Sequence, residues 1–208
     1  MPGEVICGDG VAFLATSLPA DHAIVTSLPD HSELPALGVD GWKRWFIDVC
    51  ALACRAVADD GIAIFYQTDV KHDGRWIDKG HLVMCGADAA GSHALWHKIV
   101  CRVRPGTTTF GRPAYTHFIC TSRARRLAPG ASTPDVLPEL GDMTWSRAMG
   151  SAACEAAVAF AESLGARVIV DPFCGMGSVL AAAHARGLGA IGVELSRRRA
   201  AKARKALL

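Results

Sequence analysis

The sequence predicts a single α/β domain built on a mostly parallel β-sheet, and three observations support this prediction. The chain has 208 residues, enough for one such domain with a full core and too few for two. Short apolar runs alternate with segments of helical periodicity, which is the pattern of parallel strands joined by helices. Residues 168–177 combine a β-branched run, an acid and a Gly-x-Gly turn. That combination predicts a βα unit with a ligand site at the carboxyl end of its strand.

The first half of the chain predicts three strands of a parallel sheet and the helices between them. Apolar residues at 42, 45, 46, 49, 52, 53 and 57 have the period of a helix over 41–58. Pro29, Pro35 and Gly38 indicate a loop over 28–40. The remaining predictions are strands over 5–7, 23–27 and 61–66, a short helix over 11–18, and a polar stretch over 71–93 with a short helix near 77–86.

The second half predicts a hairpin, a linker and a second run of strands and helices. A loop rich in Pro, Gly and Thr joins strands over 95–103 and 115–122. Three prolines and two glycines make 124–142 an irregular linker. The remaining predictions are helices over 146–164 and 196–207, strands over 167–171 and 190–194, and an apolar helix after the Gly-x-Gly turn.

The composition is that of an ordinary globular protein, with 50% hydrophobic and 20% charged residues. It contains no apolar run of membrane-spanning length, and its N-terminus lacks the features of a signal peptide. The eight cysteines include no C-x-x-C pair, which favours a reduced, cytoplasmic compartment and argues against structural zinc. A net charge of +2 permits nucleic-acid binding without establishing it.

The turn after the strand at 167–171 favours one class of ligand over another. A pyrophosphate site prefers G-x-G-x-x-G without an acid at its mouth, whereas here Leu180 stands at the third glycine position and Asp171 precedes the turn. An acid there repels pyrophosphate and attracts an ammonium group such as that of S-adenosylmethionine. Glu194 ends the next strand, where an acid can accept hydrogen bonds from both ribose hydroxyls. The pattern therefore favours a methyl donor over a dinucleotide, with a ligand-free loop as the remaining alternative.

The segment Asp171-Pro172-Phe173-Cys174-Gly175-Met176-Gly177-Ser178 resembles the D-P-F-x-G-x-G-[ST] motif of S-adenosylmethionine-dependent amino-methyltransferases. These act on nucleic acids and include DNA N4-cytosine and N6-adenine methyltransferases and related RNA enzymes. Here the motif lies in the last quarter of the chain, as in a circularly permuted subset of that family. The resemblance implies a Rossmann-like class I methyltransferase sheet with an antiparallel hairpin edge. It implies that the first strand lies beside the strand ending at Glu194, within one domain over 1–208. That domain has a catalytic half (1–123), a linker (124–142) and a donor-binding half (143–208).

The permuted order implies a catalytic motif near the start of the chain. Ser27-Leu28-Pro29-Asp30 resembles the family's [DNS]-P-P-[FYW] motif, in which a polar side chain and a carbonyl beside the prolines bind the target amino group. Those contacts aim the nitrogen at the methyl group. Ser27 and Pro29 match the motif, whereas Leu28 replaces a proline and Asp30 replaces the aromatic residue that stacks on a flipped base. Asp30 is expected to orient the amine or to take its proton through water. A Pro-capped loop with a solvated acid is the alternative.

The resemblance assigns further roles around the expected cleft. Asp9 matches the family's G-D-x motif near the donor's adenine, and its alternative is a turn aspartate before a helix. Trp145, Ser146 and Arg147 open the helix before the donor loop, where the resemblance implies a contact with the donor. The alternative is that these residues make no direct contact. The basic tail around Arg197–Lys205 is expected to be a solvated surface. The complete donor-binding set is Asp9, Asp171, Phe173, Gly175, Gly177, Ser178 and Glu194, and the substrate-binding set is His31, Arg75, Trp76, Arg112 and Tyr115. For Arg75 and Trp76 the alternative is a solvated loop. For Arg112 and Tyr115 it is the punctuation of a hairpin, and His31 shares the alternative of the Pro-capped loop.

Three functions remain open from the sequence. The first is methylation of an amino nitrogen on nucleic acid, with RNA favoured over DNA because 124–142 is too short for a DNA target-recognition domain and a folded RNA can be read by shape. This leaves room for a partner protein in recognition. The second is methylation of a protein or small molecule, which Asp30 and the weak net charge favour. The third is a donor-binding assembly factor without catalysis, which the altered catalytic motif favours.

Overall fold

A computed structural model describes residues 3–145 and 148–207 and shows strands and helices alternating along the chain. Short 3₁₀ turns at His31–Glu33 and Pro35–Leu37 interrupt the loop after the second strand. The strands are β1 (Gly3–Cys7), β2 (His22–Thr26), β3 (Ala63–Gln67), β4 (Val70–His72), β5 (Arg75–Ile77), β6 (His93–Cys101), β7 (Tyr115–Ser122), β8 (Val136–Leu137), β9 (Val168–Asp171) and β10 (Gly189–Glu194). The helices are α1 (Gly10–Leu14), α2 (Gly38–Ala56), α3 (Lys79–Ala89), α4 (Ser151–Ser163), α5 (Ser178–Ala185) and α6 (Arg197–Lys205).

Eight strands form one sheet in the order β1-β10-β9-β2-β3-β7-β6-β8. The first five strands in that order are parallel, and β7 and β6 form an antiparallel hairpin beside β3. The predicted mostly parallel sheet with an antiparallel hairpin is therefore confirmed. The carboxyl ends of β1, β10, β9, β2 and β3 meet at one edge, where the loops that follow them lie side by side.

The two ends of the chain meet in the sheet, as the order of the motifs predicts. β1 pairs in parallel with β10, from Gly3 opposite Ala190 to Cys7 opposite Glu194. The guanidinium of Arg204 in α6 donates to the carbonyl of Val5 at 2.9 Å. The junction between the N-terminal strand and the C-terminal unit is therefore made by hydrogen bonds instead of a covalent connection.

Alternating residues of the central strands fill a separate core on each face of the sheet. Val25, Ile64 and Phe118 pack with α4, α5 and α6 on one face. Their sequence neighbours, such as Ile24 and Phe65, pack with α2 and α3 on the other face. Successive side chains of a strand point to opposite faces of the sheet. A strand that is covered on both faces therefore needs an apolar residue at every position.

All eight cysteines are free, and six of them are buried. Burial raises the pKa of the Cys50 and Cys120 thiols well above the ordinary value, so these side chains stay neutral and pack as small apolar groups. No helix among the described residues is long and apolar enough to cross a membrane.

The polar stretch after β3 differs from its prediction, because it contains a hairpin before α3. The β4–β5 turn places Asp73 and Gly74 at φ +49° and +72°, and two consecutive residues at positive φ are what a tight hairpin turn of this kind requires. Asp-Gly is a known hairpin signal, so the sequence carried the information and the prediction missed it.

Two further boundaries also differ from prediction. The linker contains β8, which extends the sheet parallel to β6, so the β6–β7 hairpin is not the edge. Helix α4 begins at Ser151 instead of 146; the predicted residues Ser146 and Arg147 lie outside the described part of the chain. Gly150 precedes α4 where an added Cβ would lie 2.0 Å from the carbonyl oxygen of Leu140. That oxygen also accepts from the amide of Ala152 at 3.0 Å, so the approach of the linker sets the start of the helix.

Candidate active site

A cavity of about 370 Å³ lies at the sheet edge where the parallel strands end. Its lining combines the end of β2 with the turns after β1, β9 and β10, so it joins the two halves of the chain. Predicted site residues on its wall are Asp9, Ser27, Pro29, Asp30, Arg112, Asp171, Phe173, Gly175, Ser178 and Glu194. Trp145, expected to contact the donor, lines it as well.

Asp171 is a nearly buried carboxylate at the end of β9, with 5% of its surface exposed. Its Oδ1 accepts from the Thr26 hydroxyl at 2.7 Å and from the Phe173 amide at 3.1 Å. Burial raises the pKa of Asp171 to about 7, although these two hydrogen bonds oppose the rise. The side chain therefore carries a partial charge at neutral pH, and a bound cation would draw it toward the ionised form.

The glycines after Asp171 have the backbone conformation that the motif predicts. Gly175 and Gly177 lie at φ +55° and +88°, a region that strains any residue with a Cβ. A Cβ on Gly175 would come 3.3 Å from the ring of Trp145 at the cavity wall. Gly177 is not among the lining residues; a Cβ there would lie 3.1 Å from Ala203 of α6. Gly177 therefore serves helix packing, whereas Gly175 faces the cavity.

Glu194 at the end of β10 fixes the turn that follows β9. Its Oε2 accepts from the Gly175 amide at 3.1 Å, and its Oε1 accepts from the Ser196 amide at 2.7 Å and from Arg199 Nε at 2.9 Å. The Arg199 guanidinium lies 6.0 Å from the centre of the Trp145 ring. Arg199 was assigned to a solvated basic tail, which is wrong for this residue because it lines the cavity. Arg198 of the same tail is exposed, as predicted.

Asp9 and Gly10 link the loop after β1 to the turn after β9. Asp9 Oδ1 accepts from the Val11 amide at 2.8 Å and caps α1, and the residue also lines the cavity. Asp9 therefore combines the two roles that the sequence left open: it caps a helix as a turn aspartate and it lies at the cavity. An added Cβ at Gly10 would lie 2.0 Å from the carbonyl oxygen of Pro172, so only glycine permits this contact.

Substituting alanine for Gly10 is expected to destabilise the protein by about 1–3 kcal/mol, because the backbone of Pro172 must move to admit the methyl group. The free energy of unfolding from urea titration measures this cost. Gly111 offers a matched control, since its added Cβ would meet nothing within 4 Å and its φ is not positive. Equal stabilities of the two variants would show that the contact is unimportant.

The segment after β2, which is expected to bind the target amino group, forms one end of the cavity; we call it the acceptor end. Ser27 and Pro29 line the cavity, and the Pro29 carbonyl accepts from Trp42 Nε1 of α2 at 3.1 Å. Trp42 is fully buried, so this hydrogen bond holds the segment against a rigid helix. Leu28, which replaces the first proline of the family motif, is 3% exposed and packs in the core.

Asp30 is held by two cations, which neither sequence interpretation anticipated. Its Oδ1 accepts from Lys79 Nζ at 2.5 Å and its Oδ2 accepts from Arg112 at 2.8 Å. Asp30 is only 7% exposed, so the solvated-acid alternative is wrong. Since both oxygens accept charge-assisted bonds, the arrangement fits an anchor for the segment better than a free proton acceptor.

Lys79 is the principal residue that sequence reasoning missed. It begins α3 and is 3% exposed. Burial lowers the pKa of Lys79, and the charge of Asp30 opposes that change. A lysine after the helix-capping Asp78 has no local feature that predicts burial. Only the packing of α3 beside β3 brings it to Asp30, 49 residues away in the chain.

Asp69 organises the residues next to the acceptor end. It is 1% exposed and accepts from Trp76 Nε1 at 3.0 Å, the Lys79 amide at 2.7 Å, the Tyr115 hydroxyl at 3.3 Å and His117 Nε2 at 3.0 Å. Burial raises the pKa of Asp69, but the hydrogen bonds from His117 and Lys79 outweigh it, so the pKa falls below its ordinary value.

Asp69 and His117 also offer potential metal ligands together with Asp78. One ligand atom of each lies within 4.8 Å of the others. However, the Asp69 oxygen nearest to His117 already accepts from three side chains: Trp76, Tyr115 and His117. The arrangement fits a hydrogen-bond hub better than a metal centre.

Four of the five predicted substrate-binding residues lie outside the cavity wall, and only Arg112 lines it. Trp76 and Tyr115 are bound to Asp69, and Arg75 is exposed on β5. His31 packs edge-on against the rings of Trp42 and His72. The expectation that all five face one cleft is therefore corrected, because Arg75 and Trp76 lie exposed on the hairpin after β3 and outside the cavity wall.

No protein-family model matches the sequence, and no curated protein is significantly similar to it. Solved structures do match. TTHA0409 of Thermus thermophilus, provisionally named a DNA modification methylase, is 20% identical with a TM-score of 0.74 over 99% of this chain and 93% of that chain. Its complex with S-adenosyl-L-methionine has a TM-score of 0.69. The cytosine-N4-specific PvuII DNA methyltransferase is 13% identical with a TM-score of 0.75, covering 99% and 86% of the two chains. At these identities the likeness establishes architecture, and the chain therefore has the class I methyltransferase fold.

Proposed function

We propose that this protein is an S-adenosylmethionine-dependent methyltransferase that methylates an amino nitrogen of DNA. The observation that carries the proposal is one cavity lined by the two halves of the predicted machinery. Asp171 and Glu194 stand at the ends of β9 and β10, and Ser27 and Pro29 follow β2 beside them. The hydrogen bond from Thr26 to Asp171 couples the two halves directly.

The chemistry of the donor end fits S-adenosylmethionine. Buried Asp171 and exposed Asp9 favour a ligand with sulfonium and ammonium charges over pyrophosphate. Glu194 is paired with Arg199, so it would act as a hydrogen-bond acceptor. Asp171 would hold the ammonium group, while Asp9 and Glu194 would serve the adenosine. When bound, the donor supplies an electrophilic methyl group. Gly175 keeps the cavity wall free of a side chain where the backbone turns.

The acceptor end would act by placement. The Ser27 hydroxyl and the Leu28 carbonyl would orient an amine. The Pro29 carbonyl is bound by Trp42, and this bond with the Asp30 ion pairs holds the segment in place. Holding two reactants in line and away from water can supply much of the rate of a displacement. Asp30 contributes as a positioning residue, because its oxygens are engaged by Lys79 and Arg112.

The choice of DNA rests on the named structural relatives. The PvuII enzyme and TTHA0409 carry DNA in their names, and the preference for RNA that the short linker suggested finds no support among them. A partner protein that helps recognition stays a prediction.

Transfer of tritiated methyl groups tests this function. The purified protein is incubated with labelled donor and, separately, with DNA, RNA and protein extracts. Label is expected in DNA and, after digestion to nucleosides, in a methylated amino group of cytosine or adenine. Ser27→Ala should lower turnover about tenfold through loss of one hydrogen bond, with donor affinity unchanged by calorimetry. Label confined to protein or small molecules would instead support the second function, methylation of a protein or small molecule. Donor binding without any methyl transfer would instead support the third function, a donor-binding assembly factor without catalysis.

A further inference from the structure

The loop between β6 and β7, residues 102–114, has an unusual composition and exposure. It contains Arg102, Arg104 and Arg112 and no acid. Phe110 is 91% exposed, more than any other large apolar side chain among the described residues. A fully exposed ring gains nothing from packing in the folded chain, so its side chain is free to contact another molecule.

The loop is fixed at the mouth of the cavity by its C-terminal end. Arg112 bonds to Asp30 at 2.8 Å, inside the acceptor end. Tyr115, where β7 begins, donates to Asp69 Oδ2 at 3.3 Å, and Trp76 of β5 donates to the same oxygen at 3.0 Å. The loop and the β4–β5 hairpin are therefore tied to one carboxylate beside the cavity.

The hairpin presents a second ring next to this loop. Trp76 remains 47% exposed although its Nε1 is anchored, so the indole is both oriented and accessible. Lys71 Nζ of β4 lies 5.1 Å from the centre of the Trp76 ring, and Arg75 is exposed beside Trp76 on β5. Asp73, at the turn, is the acid of this hairpin and lies close to His72.

We propose that the loop 102–114 and the hairpin 70–77 form a binding surface for unpaired DNA next to the methylated nucleotide. Phe110 and Trp76 stack on bases, and Arg75 and Arg104 contact phosphates. Aromatic side chains set among cations are the usual means of holding single-stranded nucleic acid. In a duplex the base faces cover one another, so such rings select unpaired or extruded bases. The identity of the ligand as DNA rests on the proposed function.

A protein partner fits this surface less well. The cores of protein–protein interfaces are depleted of charged residues, whereas the segments 70–77 and 102–114 together carry four arginines and one lysine. The surface also adjoins the acceptor end through Arg112 and Asp30, so a strand lying on it leads into the cavity.

Fluorescence anisotropy tests the surface with labelled single-stranded DNA of about 20 nucleotides, a length that spans such a surface. The same strand in a duplex and a single-stranded RNA of the same sequence serve as comparison probes. Phe110→Ala is expected to weaken single-strand binding by about 5- to 150-fold, the range for one stacked base, and Phe110→Trp to retain it.

In methylation assays Phe110→Ala should raise KM for DNA and leave kcat unchanged. The exposed Arg198 of α6 supplies the control Arg198→Ala, which should change neither quantity.

Because Phe110 is almost wholly exposed, its replacement leaves the fold intact, and donor affinity measured by calorimetry should equal that of the wild type. Wild-type affinity and KM for DNA in both Phe110→Ala and Trp76→Ala would overturn the proposed surface, even where methylation of DNA persists. Tighter binding of the duplex or of RNA than of single-stranded DNA would overturn it too. Failure of the wild-type protein to bind donor would instead remove the proposed function.

Discussion

Replacing Asp171 by asparagine is expected to weaken donor binding by about 10- to 150-fold and, at the same time, to raise the melting temperature at pH 8. The first effect follows from loss of a charge-assisted hydrogen bond worth about 1.5–3 kcal/mol. The second follows from burial, because ionising this side chain destabilises the folded protein. Asparagine Oδ1 can keep the hydrogen bonds from Thr26 and Phe173, so the substitution removes the charge and preserves the local structure.

The sign of the pH dependence follows from the direction of the pKa shift. Burial raises the pKa of Asp171 from 3.8 to about 7, so between these values the folded protein holds a proton that the unfolded chain releases. Stability of the wild type therefore falls as pH rises from 4 to 7, by about 4 kcal/mol if the whole shift is realised. The asparagine variant lacks this loss. Wild-type donor affinity should rise over the same window, since a cationic ligand favours the ionised carboxylate.

Thermal melts and calorimetry between pH 5 and pH 8 measure both effects. The gain in melting temperature should be clearly smaller at pH 5 than at pH 8, because only part of the loss in stability has developed at pH 5. Exposed Glu139 provides the control Glu139→Gln, which should show no such pH dependence. A gain that is equal at both pH values would contradict the buried-charge explanation, and unchanged donor affinity would contradict the donor site.

Substituting alanine for Asp30 is expected to destabilise the protein by about 3–5 kcal/mol, the usual cost of removing one partner from a buried ion pair. The variant leaves the buried charge of Lys79 without its ion-pair partner, whereas Arg112 is 37% exposed and can be solvated. A double variant, Asp30→Leu with Lys79→Met, should recover much of the loss because it removes both charges and fills the space.

Urea titrations of Asp30→Leu, Lys79→Met and the double variant that combines them form a cycle that isolates the coupling between the two side chains. Asp135→Ala is a suitable control, because the Asp135 carboxylate is exposed and its partner Lys98 keeps bonds to the carbonyls of Thr133 and Pro134. That control should cost under about 1 kcal/mol. A loss below this value for Asp30→Ala would show that the Asp30–Lys79 ion pair does not hold the segment after β2 in place.

Much of the fold could be predicted because its signals are local. Apolar runs without alternation indicate strands covered on both faces, and the core clusters around Val25 and Ile24 show that arrangement. The failures had two different causes, one local and one long-range. The hairpin at Asp73-Gly74 was overlooked although its turn signal is strong, and β8 consists of two residues whose pairing depends on an open edge of β6.

The sequence by itself determined the part of the candidate site that follows β9 and β10. Asp171, Gly175, Gly177 and Glu194 occupy short segments, and a positive φ or an acid at a strand end is specified by residues next to each other in the chain. Only the tertiary structure decided the acceptor half. Asp30, Lys79 and Arg112 come from three separate segments, and local patterns carry no information about which distant cation will meet a buried acid. The ion pairing of Asp30, which stands where the resembled motif has an aromatic residue, follows from how those segments pack. The hydrogen bond that orients Trp76 has the same origin.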